Sequence, residues 1–126
     1  MTSTVLLADD NEANRYLAKF ALERAGFRVV TAGDGEEALR LARLHRPDLV
    51  LMDVQMPVLD GYEATERLRA DPDLAAIPVV ALTAYVTAED QVRAREAGCI
   101  GHIPKPIDAL RFADQVAAFL TRDNGA

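Results

Sequence analysis

Asp9-Asp10, Asp53, Thr83 and Lys105 each stand at or just beyond the end of a short apolar run: Val5–Ala8, Leu49–Met52, Val79–Leu82 and Ile100–Ile103. If the runs lie side by side, three carboxylates, a hydroxyl and an ammonium meet on one edge. Carboxylates crowded in this way raise one another's pKa and repel unless a cation shares the site. The donors are all oxygen, with no His or Cys among them, so the fitting cation is a hard one. Mg²⁺ suits best, because it takes only one or two carboxylates and keeps waters that a phosphoryl oxygen can replace. A Lys and a Thr facing such a metal complete a clamp for a phosphoryl group, with a carboxylate in place as the nucleophile. Taken singly, each residue has an ordinary role. Asp9, Asp10 or Asn11 could cap a helix, Asp53 could open a turn, Thr83 could be a strand residue, and Lys105 could be a solvated charge.

The elements that must position these residues alternate along the whole chain. Strands are expected at Thr4–Ala8, Arg28–Thr31, Asp48–Met52, Val79–Thr83 and Ile100–Ile103, and helices near Glu12–Ala25, Glu36–His45, Tyr62–Ala70, Ala88–Ala97 and Ala109–Thr121. Regular alternation of this kind predicts βα units on a parallel sheet with helices on both faces, a three-layer sandwich. Leu49-Val50-Leu51-Met52 and Val79-Val80-Ala81-Leu82 are apolar throughout, as strands covered on both faces must be. Gly26 and Gly98 stand where left-handed caps would end the first and fourth helices, and Pro47 follows the second. In the last helix Ala109, Phe112, Ala113, Val116 and Leu120 recur at helical spacing behind Asp108, an N-cap candidate, while Leu110 and Ala117 lie off that stripe. The fourth helix has Val92 as its one large apolar residue among charges, and is expected to be the most mobile. In such a sheet ligands bind beyond the carboxyl ends of the strands, where the four groups stand.

Composition narrows the function. The 126 residues are 50% hydrophobic and 27% charged, which fits a single folded domain over 1–126 with a core over about 4–121. Aromatics at 6% make that core aliphatic. Fourteen Lys and Arg against 20 Asp and Glu leave a charge of −6, and no basic stripe offsets it, so nucleic acid is not an expected partner. Asp9-Asp10 stops the first apolar run at once, so neither a signal peptide nor a membrane span begins there, and a cytoplasmic setting is expected. Cys99 is the only cysteine, which excludes an internal disulfide and a Cys-based zinc site. It reads as a small buried hydrophobe, and His45 as a solvated residue at a helix end.

At these motifs the chain resembles the receiver domain of two-component response regulators over essentially its whole length. Ala8-Asp9-Asp10-Asn11, Leu51-Met52-Asp53-Val54-Gln55-Met56-Pro57 followed by Asp60-Gly61, Ala81-Leu82-Thr83-Ala84, and Pro104-Lys105-Pro106 carry the resemblance. Each is weak alone; the four in order are specific. The resemblance implies a flavodoxin-like α/β fold, a five-stranded parallel sheet in the order 2-1-3-4-5 with five helices. It makes Asp53 the phosphoacceptor, Asp10 a direct Mg²⁺ ligand, Asp9 its water-bridged neighbour and the Gln55 backbone carbonyl a further ligand. Thr83 and the Ala84 amide would hold phosphoryl oxygens and Lys105 would pair with the phosphate, aimed inward by a cis Lys105–Pro106 bond.

The family commonly has Tyr or Phe three residues before the Lys as a switch, and here that position is His102. Tyr85, with Gln55, would stand at the rim where water must line up for hydrolysis, and a bulky Tyr85 predicts a slow loss of phosphate. Asp9 to Asn14 and Gly98-Cys99 are similar to phosphorelay receivers, either stand-alone cell-division regulators of the DivK type or receivers of hybrid histidine kinases. The partners implied are a histidine kinase or a histidine phosphotransfer protein and an output protein, reached by protein–protein contact with no nucleic acid and no membrane. No DNA-binding output domain is expected in the 126 residues. A rival is a phosphatase with an Asp nucleophile, but it needs a second Asp two residues on as general acid, and Gln55 cannot donate that proton. A nucleotide or flavin module is weaker still, since Gly33-Asp34-Gly35 lacks the Walker Lys and the G-x-G-x-x-G spacing.

Overall fold

Ten elements alternate in the computed structural model, which describes residues 2–84 and 87–125. They are β1 (Thr4–Ala8), α1 (Glu12–Arg24), β2 (Arg28–Ala32), α2 (Gly35–His45), β3 (Leu49–Asp53), α3 (Gly61–Ala70), β4 (Val79–Thr83), α4 (Ala88–Ala97), β5 (Gly101–Pro104) and α5 (Phe112–Gly125). All strand pairs are parallel and the sheet order is β2-β1-β3-β4-β5. Side chains alternate between faces along each strand, and this splits the core in two. Leu6, Ala8, Val50, Met52, Val79 and Ala81 pack under α2, α3 and α4. Val5, Leu7, Leu49, Leu51, Val80 and Leu82 pack against Leu22 of α1 and Phe112 and Val116 of α5. With β1, β3 and β4 covered on both sides, their runs had to be apolar throughout.

Local signals set the helix starts. Asn11, Asp34, Asp60 and Thr87 each accept the backbone N–H three residues on, which satisfies a donor the helix leaves unpaired. Gly98 ends α4 at φ 115°, a conformation a Cβ would strain. The Ile100 N–H donates to the Val79 carbonyl, and β5 begins at Gly101, one residue later than the apolar run suggests. The last helix also starts later than its pattern. Asp108 is not the N-cap expected: its carboxylate accepts from the Leu110 N–H at 3.0 Å within a turn over 109–111, and regular helix begins at Phe112. Ala109 is exposed rather than part of the buried stripe, Leu110 is 93% exposed, and α5 runs to Gly125, past the expected end at Thr121.

The fourth helix is held thinly. Only Ala94 and Ala97 are buried along it, and Val92 is 46% exposed. What binds it to α3 instead is the Arg93 guanidinium, 4.3 Å from the centre of the Tyr62 ring and 4.0 Å from an Asp60 carboxylate oxygen. A cation over an aromatic face at such a site contributes roughly 0.5–1 kcal/mol. Replacing Arg93 with Ala should therefore speed amide exchange along α4 by about two- to fivefold, with the central strands unchanged. Equal exchange in both proteins would show that the stacking does not anchor the helix.

Candidate functional site

The parallel register brings the strand ends level. Ala8 lies beside Met52, Asp53 beside Leu82 and Thr83 beside Pro104, so the residues that close β1, β3, β4 and β5 share one edge. Asp53 and Thr83 are the last residues of their strands, Asp9 and Asp10 follow β1, and Lys105 follows β5. Asp9 and Asp53 are buried, at 0% and 2% exposure, and Thr83 is buried with them, whereas Asp10 is exposed. The N-terminus of α3 comes so close behind β3 that a Cβ at Gly61 would collide with the Asp53 carbonyl oxygen, which accounts for the Gly beside the Asp60 cap.

One ligand atom from each of Asp9, Asp10 and Asp53 lies within 4.8 Å of the others. Lys105 Nζ donates to Asp53 Oδ2 at 2.8 Å and stands 3.5 Å from Asp9 Oδ2. The second oxygens are held by the backbone: the Gln55 N–H donates to Asp53 Oδ1 at 3.0 Å and the Asn11 N–H to Asp9 Oδ1 at 2.9 Å. Burial pushes the Asp53 carboxyl above the ordinary value, with the Lys105 and Gln55 bonds opposing it and the Asp9 charge adding to it. Burial alone would lower Lys105, but its bond to Asp53 and the charges of Asp53 and Asp9 outweigh that and raise it. Asp9 Oδ2 is buried and, among the described residues, has no hydrogen-bond partner. A buried carboxylate oxygen beside two further carboxylates, with one ammonium at the limit of contact, fits a site that takes a further cation.

The remaining sequence-derived positions fall around this cluster. Gln55 lies exposed in the loop after β3, and Ala84 directly follows Thr83 and is exposed. The Lys105 N–H donates to the Thr83 carbonyl at 2.8 Å, and the Lys105–Pro106 bond is cis. His102 is exposed on β5 and, with Tyr62, Thr83 and Cys99, lines a cavity between α4 and the sheet. Tyr85 lies outside the described residues. Cys99 is buried, its thiol pushed up by burial and directed at the Thr65 hydroxyl. His45 is exposed at the end of α2. Two features were not read from the sequence. Tyr62 is nearly buried under Arg93 and borders a second cavity with Gln55, Thr83 and Asp90. Arg15 turns back from α1 to the Asp9 backbone carbonyl at 2.7 Å.

The family model for the response regulator receiver domain matches residues 5–117. The polar-differentiation response regulator DivK of Brucella ovis is 42% identical over 120 residues, 95% of this chain and 98% of that one. Among solved structures, the chemotaxis protein CheY4 of Vibrio cholerae superposes with a TM-score of 0.89 at 30% identity, over 94% of this chain and 98% of that one. The receiver domain of sensor histidine kinase PA1611 from Pseudomonas aeruginosa has a magnesium ion coordinated in its active site cleft. It superposes at 0.86 with 33% identity over 100% of both chains.

Proposed function

The chain belongs to the response regulator receiver domain family, and from that premise we propose that it takes a phosphoryl group from a phosphohistidine onto Asp53. The donor would be a histidine kinase or a histidine phosphotransfer protein, and the signal would pass to an output protein by contact between proteins. The observation that carries this reading is the Asp53 carboxylate, held by Lys105 at 2.8 Å within a cluster of three acids at the sheet edge. In the transfer the phosphorus–nitrogen bond of the donor breaks, a bond forms to an Asp53 carboxylate oxygen, and the departing imidazole takes up a proton. Lys105 lies on the Asp53 carboxylate and neutralises charge on the incoming oxygens. The Thr83 hydroxyl and the Ala84 amide donate to them.

The acidic cluster fits Mg²⁺. Asp10 and Asp53 would ligate directly, Asp9 through a water, and the Gln55 carbonyl would complete the protein's share. The buried Asp9 Oδ2, which has an ion pair to Lys105 at 3.5 Å but no hydrogen bond among the described residues, supports this, as does the magnesium in the similar PA1611 receiver. When bound, the ion supplies positive charge to the phosphoryl oxygens. The reading makes the protein a switch that catalyses only its own phosphorylation and dephosphorylation. No helix among the described residues is long and apolar enough to cross a membrane.

Incubation with a phosphorylated histidine phosphotransfer protein tests the proposal. Label should reach the chain in Mg²⁺ and fall at least tenfold in excess EDTA, a loss in the range expected when a phosphoryl clamp is incomplete. Failure to label in Mg²⁺ would overturn the function, and undiminished label in EDTA would overturn the metal's part in it.

A further inference from the structure

Of the three acids at the site, two are fixed by their neighbours. Asp9 has the Asn11 N–H on one oxygen and Lys105 near the other, and Asp53 has the Gln55 N–H and Lys105. Asp10 is different. It is exposed, and among the described residues no hydrogen bond or ion pair holds its carboxylate. With no side-chain contact to hold it, its reach depends on where the backbone places its Cα and Cβ, and the peptide that enters it joins the Asp9 carbonyl to the Asp10 nitrogen. That carbonyl is the atom Arg15 grips, with Nη1 donating at 2.7 Å. Arg15 is half-buried on the second turn of α1, and its guanidinium passes over Gly33, just beyond β2, where a Cβ would already touch Nη1 at 3.5 Å.

We propose that Arg15 is a positioning residue for the metal site: by fixing the Asp9–Asp10 peptide it aims the Asp10 carboxylate toward Asp53. The inference rests on reading the acidic cluster as a Mg²⁺ site. Arg15 touches neither the ion nor the phosphoryl group in this account. It acts through the peptide, as partners of metal ligands commonly do, and their loss typically costs 10- to 100-fold in metal affinity. The sign separates this role from simple electrostatics. Arg15 is a cation close to an acidic cluster, so deleting it for its charge alone would tighten the binding of a second cation. Deleting it as a positioning group should weaken binding.

The experiment is a titration of the full chain with MgCl2, following the dissociation constant and, separately, the melting temperature without metal. Arg15→Ala should weaken Mg²⁺ roughly tenfold, the low end of the range for such partners. Arg15→Lys should stay within a few-fold of wild type, because the contact is a single N–H to a carbonyl that an ammonium can also make. Unchanged or tighter binding in Arg15→Ala would overturn the inference, as would a lowered melting temperature with unaltered Mg²⁺ affinity. If wild type itself bound no Mg²⁺, the metal reading would fall first, and the inference with it.

Discussion

Asp53→Asn should carry no label after incubation with acetyl phosphate and Mg²⁺, while wild type is labelled. The substitution keeps the shape of the side chain, and an Asn Oδ1 still accepts the Gln55 N–H that now donates to Asp53 at 3.0 Å. What it removes is the charge that attacks phosphorus in the proposed transfer, and a neutral amide is not a nucleophile toward a phosphoryl group. Because burial raises the Asp53 carboxyl above its ordinary 3.8, the ionised, reactive form gives way to the protonated one at a higher pH than an exposed Asp would show. Labelling of wild type should accordingly slow as the pH falls through that raised value. Lys105 loses its acceptor on this side chain but keeps Asp9 Oδ2 at 3.5 Å, and an uncharged amide costs less to bury than a carboxylate, so the mutant should stay folded. Equal labelling of both proteins would remove Asp53 as acceptor and move the search to Asp10.

The convergence of the four strand ends was legible in the sequence because a parallel sheet fixes it. Once five short apolar runs alternate with helices, the residues closing the runs must share an edge, whatever their separation along the chain. The order of the strands was not legible from pattern, since β2-β1-β3 and its alternatives present the same runs; it came through the family resemblance. Arg15 and Arg93 were invisible for a related reason. Both look like solvated helix charges, and only the tertiary approach of α1 to the end of β1, and of α4 to α3, gives each a partner. The end corrections have local causes. Past the Gly98 turn Ile100 bonds to the Val79 carbonyl and β5 begins at Gly101, while the Asp108 carbonyl is shared between the Arg111 and Phe112 N–H groups in the turn that precedes α5. Apolar periodicity does not report either of these. The thin anchoring of α4 was readable, because a helix with Val92 as its one large apolar residue has little surface to bury.

Lys105→Met should show the largest loss of stability at the site, and in the absence of metal. Lys105 is the cation that the structure sets against two carboxylates whose side chains are 1% and 2% exposed. Removing one partner of a buried pair leaves an uncompensated charge at a cost of ~3–5 kcal/mol. Lys105 itself is 19% exposed, so water can reach the gap and about 2–3 kcal/mol is the better figure here, a fall of roughly 10 °C in melting temperature for a domain this size. The pH dependence has a definite sign. In the fold Asp53 is raised above 3.8, so as the pH drops through that raised value the folded protein takes up a proton the unfolded chain does not, and its stability improves relative to neutral pH. Without Lys105 the upward shift on Asp53 is larger, since the lysine's bond and charge oppose it and only the Gln55 bond is left to do so, and the mutant's deficit should be greatest near neutrality and shrink toward acid. Two further measurements tie the loss to charge rather than to lost packing. Adding Asp53→Asn to Lys105→Met should recover much of the deficit, because one of the two stranded carboxylates is gone. Saturating Mg²⁺ should raise the melting temperature of Lys105→Met more than that of wild type, since the ion then supplies the positive charge the lysine did. A double mutant no more stable than Lys105→Met alone would show that the lysine holds the site by its methylene chain and not by its ammonium.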